Sequence, residues 1–351
     1  MCSFQLTYAI FAAAIAAGKL AERMKFSSML VFFFFWHLLV YCPVCHWWWG
    51  NGFIQQWGSI DFAGGSVVHI TAGITGLVGS LILNTCYPRK EAEETRSEHT
   101  VLMTFIGGCL LWVGWLAWNA GSALAAAGSA GMALLITHLA ASTSAFTWML
   151  LEWLHTGNPT VIGTVSGAVT GLIVITPAAG FVDHTGAFVM GLIGALLSYP
   201  IIFIKNKVGL DEKPNQSAYP DAFGVHAIGG ILGGLMVGFF ANPAINLRAG
   251  AWYPLEGDKY TNGRQLGWQF AGIGITVGYV AVATAILMLI LKITIGICNP
   301  EPEEEEPEPV PEQKTLVIQP VAMQPVMMAS YPSVAMPAMM PMGMPMMGSR
   351  V

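Results

Sequence analysis

Apolar residues in this chain come in long unbroken blocks, with none of the short alternation that marks half-buried strands. Nine blocks, near 4–20, 26–46, 61–84, 101–120, 129–153, 158–181, 186–205, 220–241 and 266–296, match the roughly 20 residues a helix needs to cross a bilayer. At that depth no water is at hand to bond the backbone, so each block is predicted to be a helix that satisfies its own N–H and C=O groups. Small residues recur inside two of them, as GITGLVGS at 73–80 and GGILGG at 229–234, which lets neighbouring helices approach closely. The expected fold is an all-α polytopic membrane protein, a bundle of about nine transmembrane helices.

Composition strengthens this reading. Of 351 residues 54% are hydrophobic and only 10% are charged, with a mean hydropathy of +0.59, whereas soluble domains carry about 25% charged residues. The net charge of -5 belongs to the end of the chain. Residues 1–300 hold 13 basic and 13 acidic side chains, and 301–351 hold 2 against 7. Two regions follow: a membrane domain over 1–296, and a tail over 297–351 that begins ICNPEPEEEEPEPVPEQK and ends in a Met/Pro-rich run. Such a tail buries too little apolar surface to fold and is expected to be disordered. Its methionines suit soft Cu(I), although low complexity alone accounts for them. Lys19, Arg23, Lys25, Arg89, Lys90, Arg96, Lys205, Lys207, Lys213 and Lys292 fall on one side if the spans alternate; Arg248, Lys259 and Arg264 fall on the other. The positive-inside rule then places the tail in the cytoplasm and the N-terminus outside.

Ionisable residues within spans usually mark function. DFAGGSVVHI puts Asp61 at a helix start and His69 eight residues on, about 12 Å deeper at 1.5 Å per residue. DAFGVHAIGG puts Asp221 at another start with His226 five residues on. The two helices enter from opposite faces, which points to an inverted repeat with a site at the midplane. Each aspartate also reads as a helix N-cap; for Asp221 the cap is the favoured reading, and for Asp61 both cap and cation attraction are open. His37 and His138 lack such a pattern and are expected to pack or to bond between helices. His99, His155 and His184 are expected in loops. No third ligand accompanies the paired histidines, so a zinc site is not expected.

At these residues the chain resembles the ammonium transporter family (the Amt/Mep/Rh superfamily), closest to its Amt/Mep branch. FQLTYA, AGKLAERMKFSSMLVF, YCPVCHWWWGNGF, IDFAGGSVVHITAGITGLVGSLIL, VGWLAWNAGSA, VTGLIVITPAAGFV and DAFGVHAIGGILGG match family blocks in order, from about residue 4 to 296. The resemblance implies a bundle of about eleven helices with a pseudo-twofold inverted repeat, usually trimeric; this chain matches it without the first two helices. It further implies that Trp49, Ser122 and Phe4 form an ammonium site at the outer mouth, with Asp61 behind it. Tyr8 and Trp118 stand at the two gate positions, usually phenylalanine in the family, and His69 and His226 match the pore histidines. The tail lacks the family's usual Gly-Leu-Asp…His-Gly-Glu pattern.

The resemblance also implies a transporter and no enzyme. Its substrate would be ammonium or ammonia, with methylammonium as an analogue, in a homotrimer within the lipid bilayer of a plasma membrane, with no nucleic acid and no cofactor. Cys42, Cys45 and His46 have the spacing that attaches c-type haem, but they align with an ordinary family block and the spacing reads as coincidence. The six cysteines show no disulfide framework and read as buried small hydrophobes. Rival readings are a Rhesus-type ammonia channel, an ammonium sensor with little flux, and a membrane haem protein.

Overall fold

The computed structural model describes residues 2–21, 23–86, 98–207, 222–242, 245 and 262–299. Among these residues nine helical segments are long and apolar enough to cross a membrane, and they fall on the nine apolar blocks. In chain order the α-helices are α1 (Cys2–Leu20), α2 (Phe26–Trp36), α3 (Cys42–Trp49), α4 (Phe53–Gln56), α5 (Thr71–Leu83) and α6 (Glu98–Gly121). They continue with α7 (Gly128–Thr156), α8 (Val161–Ile175), α9 (His184–Lys207), α10 (Ile228–Phe240) and α11 (Asn262–Thr294).

Three π-helical turns interrupt this series. His37–Tyr41 joins α2 to α3 end to end. Pro43 lies in the first turn of α3 and has no N–H to give, so the wider turn just before it takes up the misfit. The other two turns, Gly65–Ile70 and Ala222–Ala227, lead directly into α5 and α10. Each has six residues with a histidine fifth, and each runs into a 13-residue helix. The match holds at a constant offset of 157 residues, the separation of His69 and His226.

The two units pack reciprocally. Helix α5 lies against the Ala222–Ala227 turn and α10 against the Gly65–Ile70 turn, as a local twofold relation requires. Glycines at matched positions permit the approach. A Cβ at Gly73 would stand 2.5 Å from the Ala227 backbone nitrogen, and one at Gly230 would stand 2.6 Å from the Gly65 carbonyl oxygen. Neither neighbour is a flexible side-chain end, so backbone would have to move. Gly73→Ala or Gly230→Ala is therefore expected to cost about 1–3 kcal/mol. The thermal unfolding midpoint of the full chain in detergent should fall, whereas Gly114→Ala, where a Cβ meets nothing within 4 Å, should leave it in place.

The two largest of four apolar clusters among the described residues flank this centre. One gathers Tyr8, Leu20, Phe32, Trp36, Trp48 and Ile70; the other gathers Ile136, Ala140, Val174, Met190 and Met236. At the far end of α1, the segment after α11 pairs with residues 23–25. The Lys25 amide donates to the Ile297 carbonyl at 2.9 Å and the Asn299 amide to the Arg23 carbonyl at 2.9 Å.

Several expectations are corrected. The helix of the 61–84 block begins at Gly65, because residues 61–64 form its cap, so His69 sits fewer turns inside than the spacing implied. Cys86 and Cys298 form a disulfide across 212 residues, a pairing made by the fold that no local spacing could reveal. Cys2, Cys42 and Cys109 are exposed on helix surfaces rather than buried. His155 lies in the last turn of α7 and His184 begins α9, because these helices run beyond their apolar stretches. His99 falls within α6 for the same reason. Asp221, Arg89, Lys90, Arg96, Lys213, Arg248, Lys259 and the tail from 300 onward lie outside the described residues.

Candidate functional site

Asp61 organises one end of the site. Its carboxylate is buried and accepts four backbone N–H groups: Oδ1 from Gly64 at 2.9 Å and Gly65 at 2.7 Å, Oδ2 from Ser66 at 2.7 Å and Val67 at 3.2 Å. These are the donors a helix start leaves without partners. Gly64 turns the chain into them with a φ of +108°, a conformation that favours glycine. Burial pushes the carboxyl above the ordinary carboxylate range, and the four amides oppose that by favouring the anion. The capping reading of Asp61 therefore holds, with all four bonds spent on backbone. Its own carbonyl oxygen accepts the Trp49 indole N–H at 2.7 Å, so one residue both starts the helix and sets the tryptophan.

Phe4, Tyr8, Trp49, Asp61 and Ser122 line one cavity of about 540 Å³. Tyr8 closes its floor. The ring is 1% exposed and meets Phe4 edge to face at 5.0 Å, Trp49 edge to face at 5.2 Å and Trp118 at 3.9 Å. The Tyr8 hydroxyl is hydrogen-bonded to the Ser122 hydroxyl, and Ser122 Oγ donates to the Trp118 carbonyl at 2.9 Å. The Trp118 indole N–H donates to the Ala63 carbonyl at 2.9 Å. Trp49 and Trp118 thus have their donors occupied and offer only ring surface.

Below the floor, Phe11 packs on Trp118 at 5.2 Å and Trp115 at 5.5 Å, and edge-on to His69 at 6.3 Å. His69 and His226 then stand side by side. Their rings are 5.3 Å apart and 29° from parallel, with Nδ1 to Nδ1 at 3.2 Å. That contact needs one nitrogen as donor and the other as acceptor. Trp115 stacks on the other face of His69 at 5.0 Å and 15°, its own N–H given to Thr176 Oγ1 at 2.8 Å. His69 is fully buried, yet its Nε2 has no hydrogen-bond partner among the described residues. A buried polar atom without a partner costs about 1–3 kcal/mol, so it points to something that visits.

The fold therefore brings Phe4, Tyr8, Trp49, Asp61, Trp118 and Ser122 together around one mouth, with His69 and His226 paired below it; Asp221 lies outside the described residues. His37 bonds between helices, its ring nitrogens 2.8 and 3.1 Å from the Phe33 and Ala9 carbonyl oxygens, while His138 is exposed and packs on Trp112. Sequence reasoning missed Phe11, Trp115 and Gln5. The last lines the same cavity, with an Oε1 that has no partner among the described residues. Helical spacing carried the signal: Phe4, Tyr8 and Phe11 fall at intervals of four and three, as do Trp115, Trp118 and Ser122 at three and four, which is one face of a helix in each case. Among the described residues no three His, Cys, Asp or Glu side chains gather as a metal site.

Residues 1–314 match the family model described as Ammonium Transporter Family. The chain is 42% identical over 279 residues to the ammonium transporter of Aquifex aeolicus, covering 79% of this chain and 62% of that protein. It is similar to the crystal structure of Saccharomyces cerevisiae Mep2 with a TM-score of 0.75 and 32% identity, covering 86% of this chain and 68% of that one. A solved structure titled Sensor Amt Protein also matches, with a TM-score of 0.72 and 25% identity over 84% of this chain and 72% of that one. The chain spans about three-fifths of the length of the curated relatives it matches first.

Proposed function

The chain belongs to the ammonium transporter family, and on that footing we propose that it carries ammonium across a membrane by taking off its proton and passing ammonia along the histidine pair. The observation that supports this most is the buried His69–His226 pair at the junction of the two repeated units. A bare ammonium ion in a dry interior loses tens of kcal/mol of solvation by Born estimates. Cation–π attraction from Trp49 returns about 0.5–2 kcal/mol and a hydrogen bond from the ion to Ser122 about 1 kcal/mol, enough to gather the ion but not to carry it through. Neutralising an alkylammonium with a pKa near 10.4 costs only about 4–5 kcal/mol at pH 7. Loss of the proton is the smaller barrier.

In this reading Trp49, Ser122 and Phe4 recruit the ion, with Asp61 fixing the wall behind them. Tyr8 and Trp118 form the gate, and the imidazoles exchange hydrogen bonds with ammonia and relay its proton. Potassium has no proton to release and is refused. The protein sits in the bilayer as a homotrimer, with its acidic tail on the cytoplasmic side of the plasma membrane. Labelled methylammonium uptake into liposomes carrying the full chain tests the reading: saturable uptake that ammonium competes away is expected. The likeness to a sensor protein gives the opposite outcome its meaning, since binding without uptake would mark a sensor and overturn transport.

A further inference from the structure

We propose that the Tyr8 hydroxyl is a second oxygen ligand for the incoming cation, making the floor of the mouth a paired, acceptor-only site for N–H donors. The inference rests on the ammonium reading above and concerns a residue where this chain departs from the phenylalanine usual in its family.

Proton counting gives the direction of each bond. Ser122 has one hydroxyl proton, and the Trp118 carbonyl that faces it at 2.9 Å has none. Ser122 must therefore donate to that carbonyl. Its contact with Tyr8 then has only one donor left, the phenol. The chain runs Tyr8 O–H to Ser122 Oγ–H to Trp118 C=O, and its direction is set by a backbone group that cannot reverse.

Two consequences follow for the cavity, which both side chains line. Ser122 Oγ keeps one free lone pair, and the Tyr8 oxygen, which accepts nothing among the described residues, keeps its own. Neither hydroxyl has a proton left to offer. Two adjacent oxygens that only accept suit a cation with at least two N–H groups, which can bond both at once. Water gains less from this pair, because neither hydroxyl has a proton to give to its lone pairs. The tryptophans beside them add none, since Trp49 and Trp118 give their N–H groups to the Asp61 and Ala63 carbonyls. A phenylalanine at position 8 would keep the ring packing on Phe4, Trp49 and Trp118 while removing one of the two oxygens.

Methylammonium uptake kinetics in liposomes, with ammonium as competitor, test this on the full chain. Tyr8→Phe should raise the KM for methylammonium and the inhibition constant for ammonium by about fivefold each, the loss falling on KM more than on Vmax. In a Ser122→Ala background, where the phenol has lost the partner that aims it, Tyr8→Phe should change KM by less than twofold. A KM in Tyr8→Phe that is equal to or below the parent's would overturn the inference and make Tyr8 a plain barrier. Full, additive effects in the Ser122→Ala background would equally overturn the paired site. Absence of ammonium-sensitive uptake by the parent chain would instead remove the transport reading itself, so the two failures are told apart.

Discussion

Replacing both pore imidazoles, His69→Ala with His226→Ala, should abolish ammonium-selective flux or reduce it by about 10–100-fold. Both rings are buried and meet through their Nδ1 atoms, and His69 Nε2 has no hydrogen-bond partner among the described residues. Losing one hydrogen bond from each ring, at roughly 0.7–1.4 kcal/mol each, is worth that factor in rate. The stacked arrangement makes the loss larger than either ring alone would suggest. His69 lies between Trp115 and His226, so removing both rings leaves an apolar gap against Trp115 where ammonia finds no partner. Uptake of labelled methylammonium by liposomes carrying the double variant checks this, with detergent-solubilised thermal unfolding to verify that the chain still folds. Parent-like, potassium-excluding uptake in the double variant would remove the histidines from the mechanism.

The second large effect is expected at Asp61, where it falls on assembly. Asp61→Ala strands four amides, those of Gly64 to Val67, at a buried helix start. At about 1–3 kcal/mol for each buried donor left alone, partly relieved by entering water, the change should cost at least about 3 kcal/mol. It also frees the segment whose Asp61 carbonyl holds the Trp49 indole. Asp61→Asn should fall between, because an amide keeps one acceptor oxygen but turns an NH₂ toward two of the same donors. The expected order of thermal midpoints is parent, Asp61→Asn, Asp61→Ala. An Asp61→Ala chain as stable as the parent would contradict the capping role.

Much of this architecture was legible in the chain because the bilayer restricts the choices. Long apolar blocks can only be helices at that depth, and the nine blocks map onto nine spans among the described residues. The histidines were legible because a buried titratable group in an apolar run stands out. The 157-residue repeat was only half visible. Asp61 and Asp221 lie eight and five residues before their histidines, so the acidic residues suggested a symmetry that the structure finds instead in the π turns and in Gly73 and Gly230. Position 221 corresponds in register to Gly64, not to Asp61.

What stayed hidden depends on contacts between distant segments. The direction of the Tyr8–Ser122–Trp118 chain requires atoms from α1 and α6 to meet. The Cys86–Cys298 bond requires the segment after α11 to pair with residues 23–25. The stacking of Trp115 on His69 could have been inferred from its place one turn before Trp118, but a tryptophan in an apolar helix is ordinarily read as packing.

The central claim is that the pore passes a species that has lost its proton, and the response to two cations of one charge tests it most directly. Currents should be recorded from cells without transporters of their own that express the full chain, with ammonium and then potassium stepped outside. The account predicts a saturable ammonium-dependent current and a potassium response no larger than in cells lacking the protein. A potassium current as large as that for ammonium would contradict it.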